Sequence, residues 1–412
     1  MDRRANCWAV TVALAACGSS EMTAIPSNCT DGVQNGGELG VDCGGECAAC
    51  GPTSLHDVAI GQMIVAEQDI ASFQRKTQST PPVVFYFANW IDDDKVLDDD
   101  PPLNRDLTRV MREQIPEDAI PAVAWEPPVM LLNFMPEDAH RVPNTPRILA
   151  GEFDDYIRGE ARALAEYGRP VMMTMYGEMN NFGENAFNAD GYGIPDWGGA
   201  EDYGLEVTDL VGQYGDPAWP DGPERVRDVF IRVIDMFRQE GAHNVMWFMY
   251  GGSNWQARNM GAEADDRWWS HPRYYYPGDD YIDFVGKSVH FSTIEIFKDL
   301  FEPNYDAWAA VTDKPFIIPE FNLIKTRDPI SGIRESRSEL MRQVLWEYLP
   351  NKPRFKVAFL EDSQAGVDLG FDWLFTLGGN NGQHPDEIDF WKEAVVSNPG
   401  YTKAFVIEAS RI

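Results

Sequence analysis

From about residue 55 onward, short apolar runs alternate with longer stretches in which apolar residues recur every three or four positions, the pattern of repeated strand–helix units. Eight runs have the length and bounding residues of strands: Val58 to Val65, Val83 to Ala88, Ile120 to Trp125, Pro170 to Tyr176, Asn244 to Tyr250, Tyr281 to Val289, Phe316 to Glu320 and Lys356 to Leu360. Helical spacing fills Gly151 to Tyr167, Glu224 to Glu240 and Arg334 to Tyr348, and Gly241 is placed to stop the second of these. This count predicts the α/β class and a (β/α)8 TIM barrel over residues 55–412.

Two of the runs end in a glutamate. Met175-Tyr176-Gly177-Glu178 follows the fourth and Ile317-Ile318-Pro319-Glu320 closes the seventh. Barrel chemistry sits where strands end, at the C-terminal face. A carboxyl pair there suits glycoside hydrolysis, which needs one group protonated to donate to the leaving oxygen and one ionised to attack the anomeric carbon. Glu178 is the candidate acid/base and Glu320 the candidate nucleophile, with Asn180 near enough in sequence to bond a sugar hydroxyl.

Composition narrows the partners. The formal net charge is -32, from 34 basic and 66 acidic residues, which disfavours nucleic acid and anionic membrane surfaces but does not repel a neutral polysaccharide. Of the 13 Trp, Trp125 and Trp255 follow strand ends and are the candidate sugar platforms. The runs Asp92 to Asp94 and Asp98 to Asp100 have calcium-like donors but read better as a solvated loop. No metal, cofactor or second subunit is expected.

The first residues are not part of the barrel. Arg3 and Arg4 precede a short apolar stretch, and Leu14-Ala15-Ala16-Cys17 resembles the lipobox of bacterial lipoproteins, which implies a signal over residues 1–16 and lipidation at Cys17. An ordinary secretory signal is the other reading. Gly18 follows the cysteine where inner-membrane retention uses Asp, so an outer-membrane lipoprotein or a secreted protein is expected. Cys29, Cys43, Cys47 and Cys50 lie within residues 17–54, and in an exported chain they imply two disulfides with three pairings open. The stretch resembles the Cys/Gly/Asp-rich module near the start of myxobacterial surface lipoproteins, a stapled spacer without chemistry of its own.

Five segments in order carry a closer resemblance: Trp125-Glu126-Pro127, Gly177 to Asn180, Gly241 to Trp247, Tyr276 to Gly286, and Lys314 to Glu320. Together they resemble glycoside hydrolase family 26, the β-mannanase family of clan A. The likeness implies a retaining double displacement on β-1,4-mannan, with β-glucan or xylan as variants. The chain departs from the family at first-contact positions. Gly177 stands in place of a His, Thr174 or Met175 in place of an Arg, and Asn181, Phe182 and Gly183 in place of a Gly and a Trp. Ser288 and His290 stand where an Asp and a Tyr are expected, so His290 takes over as donor to Glu320 or lies in the core. Arg232 resembles a family Arg or forms an ordinary ion pair. The departures keep a second function open, a glycan-binding surface lipoprotein on a degenerate barrel.

Overall fold

The computed structural model describes residues 58–64, 68–90, 103–104, 107–127, 129–132, 140–143, 145–179, 223–252, 272–323, 337–362 and 385–392. Eight parallel strands close into a barrel: β1 Ala59–Met63, β2 Val83–Asn89, β3 Ile120–Glu126, β4 Val171–Thr174, β5 Val245–Gly251, β6 Phe284–Lys287, β7 Phe316–Leu323 and β8 Phe355–Glu361. After Ser288, β6 is continued by Val289–Phe291, which pairs with the far end of β7. Closure comes from β8 and β1, with Ala59 opposite Val357 and Met63 opposite Glu361. Every expected run holds a strand: β1 and β4 are shorter than expected, while β2, β3, β7 and β8 extend beyond it. The antiparallel ribbon Val129–Leu132 with His140–Pro143 was not legible in the pattern.

Helices cover the outside: α1 Gln68–Thr77, α2 Leu107–Gln114, α3 Thr145–Leu149, α4 Asp154–Tyr167, α5 Pro223–Gln239, α6 Ile294–Ala309, α7 Arg337–Arg342 and α8 Pro385–Trp391. On α4, Tyr156, Ile157, Ala161 and Leu164 are buried along one stripe, and the helix ends at left-handed Gly168, whose N–H bonds to the Leu164 carbonyl at 3.2 Å. Gly241, with φ of +84°, ends the α5 segment as its position implies. Helix α6 starts at Thr293, whose side chain accepts from the Ile296 N–H at 3.2 Å. The expected helix over Arg334 to Tyr348 is only partly regular: it runs as α7, widens into π-type turns over Gln343–Tyr348 and closes in a 3-10 turn at Leu349–Asn351. No helix among the described residues is long and apolar enough to cross a membrane.

Two separate cores explain why the strands are apolar on both faces. Ala59, Phe85, Ala122, Ala124, Met172, Met246, Phe248, Ile317, Val357 and Phe359 fill the barrel interior. Val123, Trp125, Met173, Trp247, Met249 and Ile318 face the helices instead. Alternation along each strand then decides which residues reach the mouth. On β3 the inward series Ala122, Ala124 leads to Glu126, and on β5 Met246, Phe248 leads to Tyr250.

Strand β7 breaks that rule. Ile317 faces inward, whereas Phe321 and Leu323 face the helices, so the alternation slips by one between them. The ladder to β8 slips at the same place, between Ile318 and Phe321, next to Pro319, which has no N–H to give it. The slip turns Glu320 and Asn322 toward the mouth.

Candidate active site

Glu178 and Glu320 are both largely buried, at 6% and 8% exposed. One carboxylate oxygen of each, together with a ring nitrogen of His290, all lie within 4.8 Å of one another. The glutamates after β4 and on β7 meet, and His290 joins them from the continuation of β6.

Glu320 is held from two sides. The Tyr250 hydroxyl donates to Oε1 at 3.0 Å, and His290 Nε2 stands 3.4 Å from Oε2. Burial and the charges of Glu320, Glu126 and Glu178, with the hydrogen bond to Glu320, raise the Tyr250 phenol well above its usual value, so it stays a donor. For His290, burial alone works against the charged ring. The bond to Glu320 and the charges of Glu361, Glu320 and Glu178 outweigh it and raise the imidazole to about 9. His290 is therefore an imidazolium at neutral pH, and its Nε2–H donates to Glu320. The Asn322 side-chain amide lies 3.4 Å from Nδ1.

The segment carrying Glu178 is a tight, strained turn. Tyr176 and Glu178 have φ of +55° and +53°, left-handed values that cost non-glycine residues about 1–3 kcal/mol each and concentrate at functional sites. Two bonds hold it. The Gly177 N–H donates to Glu126 Oε1 at 3.0 Å, and the Met179 N–H to the Tyr250 carbonyl at 3.2 Å. Lys287, buried at the end of β6, donates to the Gly252 carbonyl. Burial pushes its amine down to about 7 against the opposing pull of Glu178.

Sequence reasoning missed Glu126, Tyr250 and Lys287. The signal for the first two was strand alternation, which puts Glu126 inward and its neighbour Trp125 outward. Trp125 is accordingly corrected as a sugar platform: it is 1% exposed, with its ring 4.5 Å from Trp90, 5.6 Å from Tyr156 and 5.8 Å from Phe237, wedged between β3 and the helices. Among the described residues, the large apolar side chain that reaches solvent is Phe87 on β2, 36% exposed, packed on Phe85 at 5.2 Å and close to Gly177. Arg232 is an ion-pair residue, bonded to both Asp154 oxygens at 2.8 and 2.7 Å between α5 and α4. Asn180, Trp255, Cys17, the four spacer cysteines and the two aspartate runs lie outside the described residues.

The Glu178, His290 and Glu320 atoms also have a spacing that metal ligands can show. The protonated state of His290 makes a pH prediction. A folded-state value of about 9, raised from the usual 6.5, stabilises the fold fully below pH 6.5, and that contribution is lost as pH rises toward 9. Lys287, lowered from 10.5 to about 7, runs the opposite way between those values. The histidine is therefore read by difference: in urea unfolding, the advantage of the wild type over His290→Gln should shrink between pH 6 and pH 9.5. An advantage that stays constant would mean His290 does not fold as the charged partner of Glu320.

No protein-family model matches the sequence, and no curated protein matches it. Solved structures do. The catalytic domain of a GH26 endo-β-1,4-mannanase from Bacillus sp. JAMB-750 aligns with a TM-score of 0.50 at 12% identity, over 86% of this chain and 92% of that one. A GH26 β-mannanase from Bacteroides ovatus gives 0.48 at 13% identity, over 84% and 92%, and a Bacillus subtilis mannanase 0.43 at 16%, over 75% and 82%. At these identities the likeness speaks to the fold, a (β/α)8 barrel of the kind used by GH26 mannanases.

Proposed function

We propose that the protein is a retaining glycoside hydrolase that cleaves a β-linked polysaccharide, endo-β-1,4-mannan first among them. The observation that carries this reading is the Glu178–Glu320 pair with oxygens within 4.8 Å, since retaining enzymes set their carboxyl groups about 5–5.5 Å apart and inverting ones about 6.5–9.5 Å. In the first step a Glu320 oxygen bonds to the anomeric carbon while Glu178 gives its proton to the departing glycosidic oxygen. In the second, Glu178 takes a proton from water, whose oxygen displaces Glu320 and restores the starting anomer. Tyr250 and His290 hold Glu320 in place for the attack. The neighbours in the fold that are named as mannanases favour mannan over the alternatives. Purified protein incubated with mannan, β-glucan and xylan, read by reducing ends, tests the reading; no cleavage of any of them would remove it.

Phe87 is the sugar-facing ring in this proposal. Its exposed ring, close to Gly177, can take the CH face of a pyranose, work first assigned to Trp125. Phe87→Ala should raise KM about tenfold with kcat changed less than threefold, the signature of lost uniform binding. An unchanged KM would release Phe87 from the role.

The second reading, a barrel that binds glycan without cutting it, is favoured by Gly177 and Thr174, which stand where the resembled family has His and Arg. Binding measured by calorimetry without release of reducing ends would establish it. We also propose that residues 1–16 are a signal, that residues 17–54 form a spacer, and that lipid on Cys17 anchors the enzyme to the cell envelope as a monomer. Cys17→Ala should move the protein out of the membrane fraction; failure of the wild type to incorporate labelled fatty acid would dismiss the anchor.

A further inference from the structure

We infer that Gly177 and Tyr250 are a matched pair, in which the missing side chain at 177 makes the room that lets Tyr250 act as the positioning residue for both carboxylates. The inference rests on the hydrolase reading for its consequence but on packing for its origin. A Cβ at 177 would lie 2.6 Å from the Tyr250 hydroxyl, 3.0 Å from Glu126 Oε1 and 3.2 Å from Phe87 Cε1. The first distance is one that real Cβ atoms do not occupy, and the atom it meets sits on a fully buried ring packed on Phe85 and Phe248 at 6.3 and 6.0 Å. Gly177 itself is not in the left-handed region, unlike Tyr176 and Glu178 on either side. Space, not backbone freedom, is what position 177 supplies.

Tyr250 uses that space to touch both halves of the pair. Its hydroxyl bonds to Glu320 Oε1 at 3.0 Å, and its backbone carbonyl accepts the Met179 N–H at 3.2 Å, one residue beyond Glu178. One residue on β5 thus ties the turn carrying the candidate acid to the side chain of the candidate nucleophile. Glu126, accepting from the Gly177 N–H, holds the same turn from β3. A histidine at 177 and a tyrosine at 250 exclude each other in this geometry. Gly177 is then not a lost catalytic neighbour but one half of a different support.

The test is a double-mutant cycle of Gly177→Ala and Tyr250→Phe in the full chain. Tyr250→Phe keeps the ring and should fold. It should lower kcat about 30- to 300-fold with KM within about threefold, because Glu320 has lost the donor that fixes its oxygen for attack. Gly177→Ala alone should cost at least as much activity and lower the urea midpoint, since the methyl displaces the hydroxyl. Placed in the Tyr250→Phe background, the same alanine should cost less than about threefold in kcat, and much of its stability penalty should vanish. Additive losses in the unfolding cycle, or a Tyr250→Phe enzyme with wild-type kcat, would overturn the inference. If the wild type cleaves no glycan, the hydrolase reading falls, and the unfolding cycle alone decides the pairing: additivity ends it, non-additivity sustains it.

Discussion

Glu320→Ala should eliminate turnover on every β-glycan the wild type cleaves, by on the order of 10⁴-fold or more, with the fold retained. The size follows from the proposed chemistry. Without the carboxylate there is no covalent glycosyl-enzyme, and the space left in a buried site does not by itself bring water to the right face of the sugar. The fold should be retained at some cost in stability, because Glu320 packs on no apolar core and His290, without its carboxylate partner, can shed its proton. A circular-dichroism spectrum like that of the wild type, together with absent reducing-end release, would bear this out. Substantial activity in the variant would move the nucleophile elsewhere, with Glu126 and Glu361 the carboxylates to examine first among the described residues.

Glu178→Ala should split substrates by their leaving group. Polysaccharide cleavage should fall about 10³-fold or more, since an alkoxide departs poorly without a proton. An activated aryl β-glycoside leaves with little help, so its first step survives and the glycosyl-enzyme accumulates. Azide should then restore turnover, because an anion needs no general base to attack, and the glycosyl azide formed should keep the β configuration. An α-azide, or no rescue with a substrate whose first step is intact, would contradict the acid/base role. Phe87→Ala provides the contrast, a loss in KM with chemistry unchanged.

Much of the fold was legible because buried parallel strands are short, apolar and regularly spaced, and the chain repeats them eight times. The two glutamates were legible for a related reason: each follows such a run. What the pattern concealed was direction. Trp125 and Glu126 are adjacent at the end of β3, and a reading by residue type chose the tryptophan, whereas alternation from Ala122 and Ala124 sends the glutamate inward and the tryptophan into the outer core. Tyr250 was within reach of the same count. Glu320 was not, since its strand slips by one residue and a plain count from Ile317 would turn Pro319 toward the mouth instead. Gly177 was misleading in another way. A missing side chain reads as a missing function until the atoms that use the vacated volume are located, and those belong to residues 51 and 73 positions away in the chain, Glu126 and Tyr250.

The slip in β7 has a bearing on how such a site persists while sequences diverge. A ladder offset is a whole-number quantity: strands pair in one register or the next, with nothing between. Gradual exchange of residues in the outer layer can therefore tilt β7 or crowd it, but cannot rotate Glu320 by degrees toward the helices. Loss would require the whole offset to be undone at once, sending the carboxylate into the apolar layer that holds Phe297, where an ionised group has no solvation. The arrangement behaves as a detent rather than a spring.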